Sequence, residues 1–192
     1  MTCASHRIVS LVGVLAALVS VARPARAIPS QTIIFLGSNQ RIREGYPQAA
    51  LFGYYYGRDD VSLLGLYAGP RWTFGGWGVE LKTGVYGGPG LGAHPIANNQ
   101  IDFTSKRFSL TSFSDVYPNQ QAYSYLSAYV NFDPLFLGVV SDFTADWSAT
   151  TTTKVTGGPT IGAGTKTLYF GTSYLFSTQH TTAIRLTVGI TI

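Results

Sequence analysis

The sequence predicts an all-β chain whose antiparallel strands close into an up-and-down transmembrane barrel. Three observations lead there: apolar and polar residues alternate along several segments, the segments run about 10 to 12 residues, and their polar faces carry few charges. Charged residues make up 11% of the chain and aromatic residues 14%. A disordered or strongly acidic chain is excluded, because there is ample apolar surface to bury.

Residues 1–27 are predicted to be a cleaved, Sec-type secretory signal peptide. Arg7 supplies the positive charge, Ile8 to Ala22 is an apolar run too short to span a membrane comfortably, and Ala25-Arg26-Ala27 places small residues at the cleavage site. Removing it leaves a single predicted barrel domain, residues 28–192, in which residues 28–46 either form a first strand or lie outside the barrel. This mature chain is nearly neutral and has no basic run that would indicate a nucleic-acid partner.

Strands are predicted from alternation with a period of two residues. The clearest examples are Trp77 to Tyr86, Leu135 to Trp147 and Ala183 to Ile192. The remaining candidates alternate less regularly: Gln48 to Gly57, Val61 to Trp72, Arg107 to Val116, Ala122 to Phe132, Thr153 to Ala163, Lys166 to Phe176 and, at the N-terminal side, Thr32 to Ser38.

The number of strands depends on the weaker segments. Gly87 to Lys106 is rich in Gly, Pro and Asn and is predicted to be one long loop. Nine candidates follow from Gln48 onward; adding Thr32 to Ser38 gives ten, and omitting one weak segment gives eight. Single-chain bacterial barrels have an even number of strands, so both chain ends lie on the periplasmic side. We expect eight strands, which would place the long loop outside the cell, with ten as the alternative.

The two faces of the strands are expected to have different surroundings. The polar faces carry Gly, Tyr, Ser and Thr, which suit a narrow lumen, whereas a water-facing sheet would use Lys and Glu. Because buried charges must be paired, the charged residues on these faces are expected to form an interior plug, with a polar path for ions as the alternative: Arg71, Glu80, Lys82, Asp142, Asp146 and Arg185. Aromatic residues near the segment ends are expected to form interfacial girdles: Trp72, Trp77, Tyr86, Phe132, Trp147 and Phe176.

With this pattern, the chain from Gln48 to Ile192 resembles small bacterial outer-membrane β-barrel proteins of the broad OmpA/OmpX-like group. The segment Ala183 to Ile192 looks like the C-terminal strand that such proteins present to the barrel-assembly machinery, although Ile192 stands where they usually end in Phe. The resemblance implies an outer-membrane location, contact with the lipid bilayer, and a structural, adhesive or surface-interaction role. Two alternatives stay open: a small porin-like ion or solute pore, and a soluble periplasmic or secreted lipocalin-like barrel for a small apolar ligand.

No enzymatic activity, cofactor or metal site is expected. His94 lies in the predicted Gly/Pro loop and His180 in a turn before the last strand, and neither has a carboxylate cluster at metal-ligand spacing. Outer-membrane lipid A deacylases resemble this chain in size and use His, Ser and Glu, but His180 has no Ser at that spacing and no Glu follows Glu80. Gly87-Gly88-Pro89-Gly90 lacks the Lys-Ser/Thr and the helix of a phosphate-binding loop.

Overall fold

Segments in which inward-facing and outward-facing residues alternate form eleven consecutive strands in the computed structural model. The structure describes residues 30–40, 47–58, 61–117, 121–147, 152–165 and 167–191. The predicted signal peptide lies outside the described residues. Within those residues, no helix is long and apolar enough to cross a membrane. The strands are β1 Ser30–Gln40, β2 Gln48–Arg58, β3 Val61–Phe74, β4 Trp77–Gly88, β5 Gly92–Thr104, β6 Phe108–Tyr117, β7 Gln121–Phe132, β8 Leu135–Asp146, β9 Thr152–Gly164, β10 Leu168–Ser177 and β11 Thr182–Thr191.

The strands form one closed barrel, which confirms the all-β barrel prediction. Each strand pairs antiparallel with the next along the chain, whereas β1 pairs in parallel with β11. The expected eight or ten strands were wrong, and so was purely antiparallel pairing. An odd number of strands makes the first and the last run in the same direction. The start of β1 at Ser30 and the end of β11 at Thr191 therefore lie at opposite ends of the barrel, not at the same end.

Most of the miscount comes from the segment predicted to be a long loop. Gly87 to Lys106 instead contains the end of β4, a three-residue turn at 89–91, the whole of β5 and the start of the next turn. Gly90 and Gly92 adopt positive φ angles of 79° and 67°, which the turn requires and glycine allows. Pro95 lies before Ala97, the first β5 residue paired with β6, and a proline is tolerated at such a place.

The outer face of the barrel is largely apolar from β3 round to β11. Many large side chains on the outward register positions keep 38% to 65% of their surface accessible. Leu81, Val139 and Phe170 are examples, at 54%, 57% and 54% exposed. On β1, by contrast, the outward Leu36 is fully buried and packs against Ile190.

Inward-facing glycines make room for inward-facing tyrosine rings. A Cβ atom at Gly189 would lie 1.8 Å from Cε1 of Tyr169, and one at Gly65 would lie 2.0 Å from Cε1 of Tyr54. A Cβ at the inward Gly37 would meet no atom of the described residues within 4 Å. The lumen is thus packed by large and small residues paired on neighbouring strands, as expected for a small barrel.

Candidate functional site

The lumen holds the candidate functional groups, and the first of them form the Arg71 cluster: Arg71, Glu80, Lys82, Gln100 and Asp102. Arg71 binds Asp102 with two parallel hydrogen bonds, Nη1 to Oδ1 at 2.8 Å and Nη2 to Oδ2 at 2.9 Å, and also contacts Glu80. Lys82 contacts Glu80 and donates from Nζ to Gln100 Oε1 at 2.9 Å. Adjacent strands β3, β4 and β5 bring these groups together, because their registers pair Arg71 with Glu80 and Glu80 with Gln100.

The second group is the Arg185 cluster, made of Arg185, Asp142, Gln31 and Tyr123. Arg185 Nη1 donates to Asp142 Oδ1 at 3.0 Å, and Nε and Nη2 donate to Gln31 Oε1 at 3.0 and 2.8 Å. Tyr123 donates its hydroxyl to Asp142 Oδ1 at 2.7 Å. Arg185 is 3% exposed and Asp142 6%, so each charge has a partner in a region that water hardly reaches.

An aromatic layer of Phe35, Phe52, Phe113 and Tyr125 lies across the barrel. Phe35 of β1 meets Phe113 of β6 edge to face, with ring centroids 6.2 Å apart, and Tyr125 of β7 at 6.4 Å. Phe52 of β2 also reaches Phe113, at 6.4 Å. Since β1 and β2 lie opposite β6 and β7 in the strand order, these contacts join opposite walls across the lumen.

The third group, the tyrosine cluster, consists of Tyr54, Tyr67, Tyr86 and Tyr117 around the Asp115–Asn98 pair. The rings of Tyr54 and Tyr67 stack at 5.7 Å, and those of Tyr86 and Tyr117 meet edge to face at 4.7 Å.

Asp115 accepts two hydrogen bonds in this cluster. One comes from the Tyr67 hydroxyl at 3.1 Å and one from Asn98 Nδ2 at 2.6 Å. Asp115 is only 3% exposed. The carboxylate is therefore held by neutral donors in the interior, unlike those of the other two clusters.

The predicted interior charges fall into separate groups. Arg71, Glu80 and Lys82 come together, Asp142 and Arg185 form a second pair, and no contact between the two groups is found among the described residues. Asp146 occupies the last position of β8, where it accepts a hydrogen bond from Gln121 Nε2 at 2.8 Å. It belongs to the rim of the barrel and not to either cluster.

The predicted girdle residues face outward with one exception. Their exposed fractions are Trp72 40%, Trp77 42%, Phe132 65%, Trp147 43% and Phe176 54%. Tyr86 is 7% exposed and packs inside the barrel against Tyr117, so the prediction that it belongs to an interfacial girdle was wrong. The reason is the alternation of faces along a strand: Tyr86 comes nine positions after Trp77 on β4, and an odd difference in position places two residues on opposite faces.

His94 and His180 lie apart from the charge clusters. His94 is not in a loop but in β5, half-buried, with Nε2 2.6 Å from the carbonyl oxygen of Leu91 and its ring 5.5 Å from that of Tyr86. His180 lies in the exposed turn before β11 at a φ of 57°. Within the described ranges no three His, Cys, Asp or Glu side chains form a group that could hold a metal ion.

Sequence reasoning missed four interior polar residues on β5 and β6. Asn98, Gln100 and Asp102 were assigned to the predicted loop, and Asp115 to a weak strand with no partner named. The sequence does contain a pattern that indicates a strand here. From Ala97 to Phe103 the odd-numbered residues are mostly apolar and the even-numbered ones polar, but Asn99 and the preceding Pro95 obscure this alternation.

Comparisons with protein-family models, with curated proteins and with solved structures give no match to this chain.

Proposed function

We propose that this chain is a β-barrel protein of the bacterial outer membrane whose lumen is closed and whose role is structural. The observation that carries the proposal is the distribution of charge over the two faces of the barrel. Among the strand side chains that the structure describes, no Asp, Glu, Lys or Arg is found on an outward register position. The inward ones are Arg71, Glu80, Lys82, Asp102, Asp115, Asp142, Asp146, Lys154 and Arg185.

A lipid environment explains this distribution better than water does. A soluble monomer rarely exposes a contiguous apolar patch larger than a few hundred Å², because such surfaces associate. Here each strand from β3 to β11 carries at least one exposed Leu, Val, Ile, Phe or Trp side chain on an outward position. The strands have 10 to 14 residues, enough for the 9–11 that a tilted strand needs to cross a bilayer.

A closed lumen favours a structural barrel over a pore. The aromatic layer joins opposite walls, and the Arg71 and Arg185 clusters occupy further parts of the interior. The same filling argues against a lipocalin-like barrel, which needs a cavity for its ligand.

The described turns favour a structural role over an adhesive one. They contain two to four residues, as at 75–76, 89–91, 133–134 and 178–181, and offer little surface for a partner. An adhesive or surface-interaction role is accordingly placed second, after the structural role. Export by a signal peptide at residues 1–27, and assembly through the segment Ala183 to Ile192 by the barrel-assembly machinery, are parts of the proposal.

The location is tested by cell fractionation combined with an unboiled electrophoresis gel. The expected result is recovery in the outer-membrane fraction, with an unboiled sample that migrates differently from the boiled one because the barrel stays folded in detergent. Recovery in the aqueous fraction without a migration shift would reject the membrane location.

The closed lumen is tested by conductance of the purified chain in planar bilayers. No steady current is expected from the wild-type chain, because aromatic side chains from opposite walls are in contact. A steady current that is abolished by Asp142→Asn would show instead that the lumen conducts ions through the Arg185 cluster.

A further inference from the structure

The Asp115 carboxylate lacks the cationic partner that the other central carboxylates have. Glu80 and Asp102 contact Arg71, and Asp142 contacts Arg185. In the parts of the chain that the structure describes, no Lys or Arg nitrogen lies within salt-bridge distance of Asp115. A carboxylate that is buried and ionised is costly unless its charge is compensated, and two neutral donors do not supply a charge.

Lys82 is close in register but is used elsewhere. It pairs across β4 and β5 with Asn98, which in turn pairs with Asp115 across β5 and β6. Its Nζ nevertheless contacts Glu80 and donates to Gln100, and it lies 4.8 Å from the ring centroid of Phe52. The amine is thereby held in the Arg71 cluster.

Two oxygen atoms of the tyrosine cluster, Asn98 Oδ1 and the Tyr54 hydroxyl, are buried and find no hydrogen-bond partner among the described residues. Asn98 is 6% exposed and Tyr54 9%. The amide orientation of Asn98 is fixed because Nδ2 donates to the Asp115 carboxylate, which leaves Oδ1 as an acceptor without a donor. Tyr54 stacks on Tyr67, whose own hydroxyl is bonded to Asp115.

We propose that the tyrosine cluster binds one alkali-metal cation, Na⁺ or K⁺, through the Asp115 carboxylate, Asn98 Oδ1 and the Tyr54 hydroxyl. The donor set consists of oxygens only, which hard cations prefer. It contains a single carboxylate, so a monovalent ion balances the local charge, whereas Ca²⁺ sites usually recruit several carboxylates. A water molecule would satisfy the two free oxygens but would bring no positive charge to Asp115.

The experiment compares unfolding of the full mature chain, refolded in detergent micelles, in NaCl, KCl and the chloride of the bulky N-methylglucammonium ion at equal ionic strength. Urea unfolding is followed by tryptophan fluorescence. Because a ligand of the folded state shifts the equilibrium by the factor 1 + [L]/Kd, Na⁺ or K⁺ at ten times its Kd should lower the unfolding equilibrium constant about tenfold. Identical unfolding curves in the three salts would overturn the proposal.

Variants assign the effect to the site. Asp115→Asn should abolish the difference between salts, and Tyr54→Phe, which keeps the ring and removes one ligand, should weaken it. Asp102→Asn is the matched control, because it removes another interior carboxylate while Arg71 keeps its contact with Glu80. A salt difference that persists in Tyr54→Phe at full size, or that vanishes in Asp102→Asn, would overturn the assignment.

A direct readout comes from a rubidium-soaked crystal of the wild-type chain. An anomalous peak beside the Asp115 carboxylate is expected, and its absence there would contradict the proposal even if Asp115→Asn failed to refold. The site depends on the interior of the barrel and not on its surroundings. Its failure is therefore separate from a failure of the proposed membrane location.

Discussion

Replacing Leu81 by Arg tests whether lipid covers the outer face of the barrel. Leu81 lies near the middle of β4, faces outward and is 54% exposed. Leu135, the first residue of β8, faces outward and is also 54% exposed. The two positions match in residue type, orientation and exposure, and they differ in their distance from the end of the barrel. Leu135→Arg is therefore the control.

The expected magnitude follows from depth in the bilayer. An Arg on the lipid face costs about 2–4 kcal/mol at the midplane and about 0–1 kcal/mol near the interface. Leu81→Arg should therefore be less stable than Leu135→Arg by about 2–3 kcal/mol, a factor of roughly 30 to 140 in the unfolding equilibrium constant. The assay is urea unfolding in phospholipid vesicles, followed by the fluorescence of the three tryptophans. In a water-facing barrel both substitutions would stay within about 0.5 kcal/mol of wild type, and equal effects would refute the reasoning.

Three further predictions follow from the fold and the interior. Gln179 and Lys106 lie in turns at opposite ends of the barrel, so single cysteines placed there should differ in their labelling by a membrane-impermeant maleimide in intact cells. Only one of the two should be labelled, and labelling of both would contradict a membrane-spanning barrel. Gly189→Ala should cost about 1–3 kcal/mol through overpacking, whereas Gly37→Ala, with open space at its Cβ, should cost far less in the same urea assay. Arg185→Met should cost about 3–5 kcal/mol because it strands a buried carboxylate, and a loss below about 1 kcal/mol would show that the pair is dispensable.

The regular strands could be predicted from the sequence because both of their faces have a consistent environment. Along β4, β8 and β11 most outward positions are apolar and most inward ones are polar or Gly, so a period of two residues is visible. β8 has exceptions, because Ser141 faces outward and Phe136 and Val140 face inward. β5 lacks this clarity, since its outward positions include Pro95 and Asn99 as well as Ile101. Composition rich in Gly and Pro is typical of loops, and here hydrogen bonding to two neighbouring strands overrides it.

The interior clusters could be predicted only in part, because a period of two residues assigns a face and not a partner. It places Arg71 and Asp142 inside, but which charges meet depends on the number and stagger of the strands. Asp142 and Arg185 are 43 residues apart and come from β8 and β11, which are not neighbours in the sheet. Such a contact follows from closure of the barrel, and the closure was predicted with the wrong number of strands.

The parallel pair that closes the barrel gives a reason for the position of the Arg185 cluster. β1 and β11 are the two ends of the strand series, so no hairpin turn joins them, and parallel pairs are slightly less stable per residue than antiparallel ones. Gln31 and Arg185 are direct partners in this pair, and they are also hydrogen-bonded through their side chains. Asp142 then ties Arg185 to β8 across the lumen. Side-chain bonds thus reinforce the seam where the chain supplies no turn, which is a structural use of buried charge and requires no path for ions.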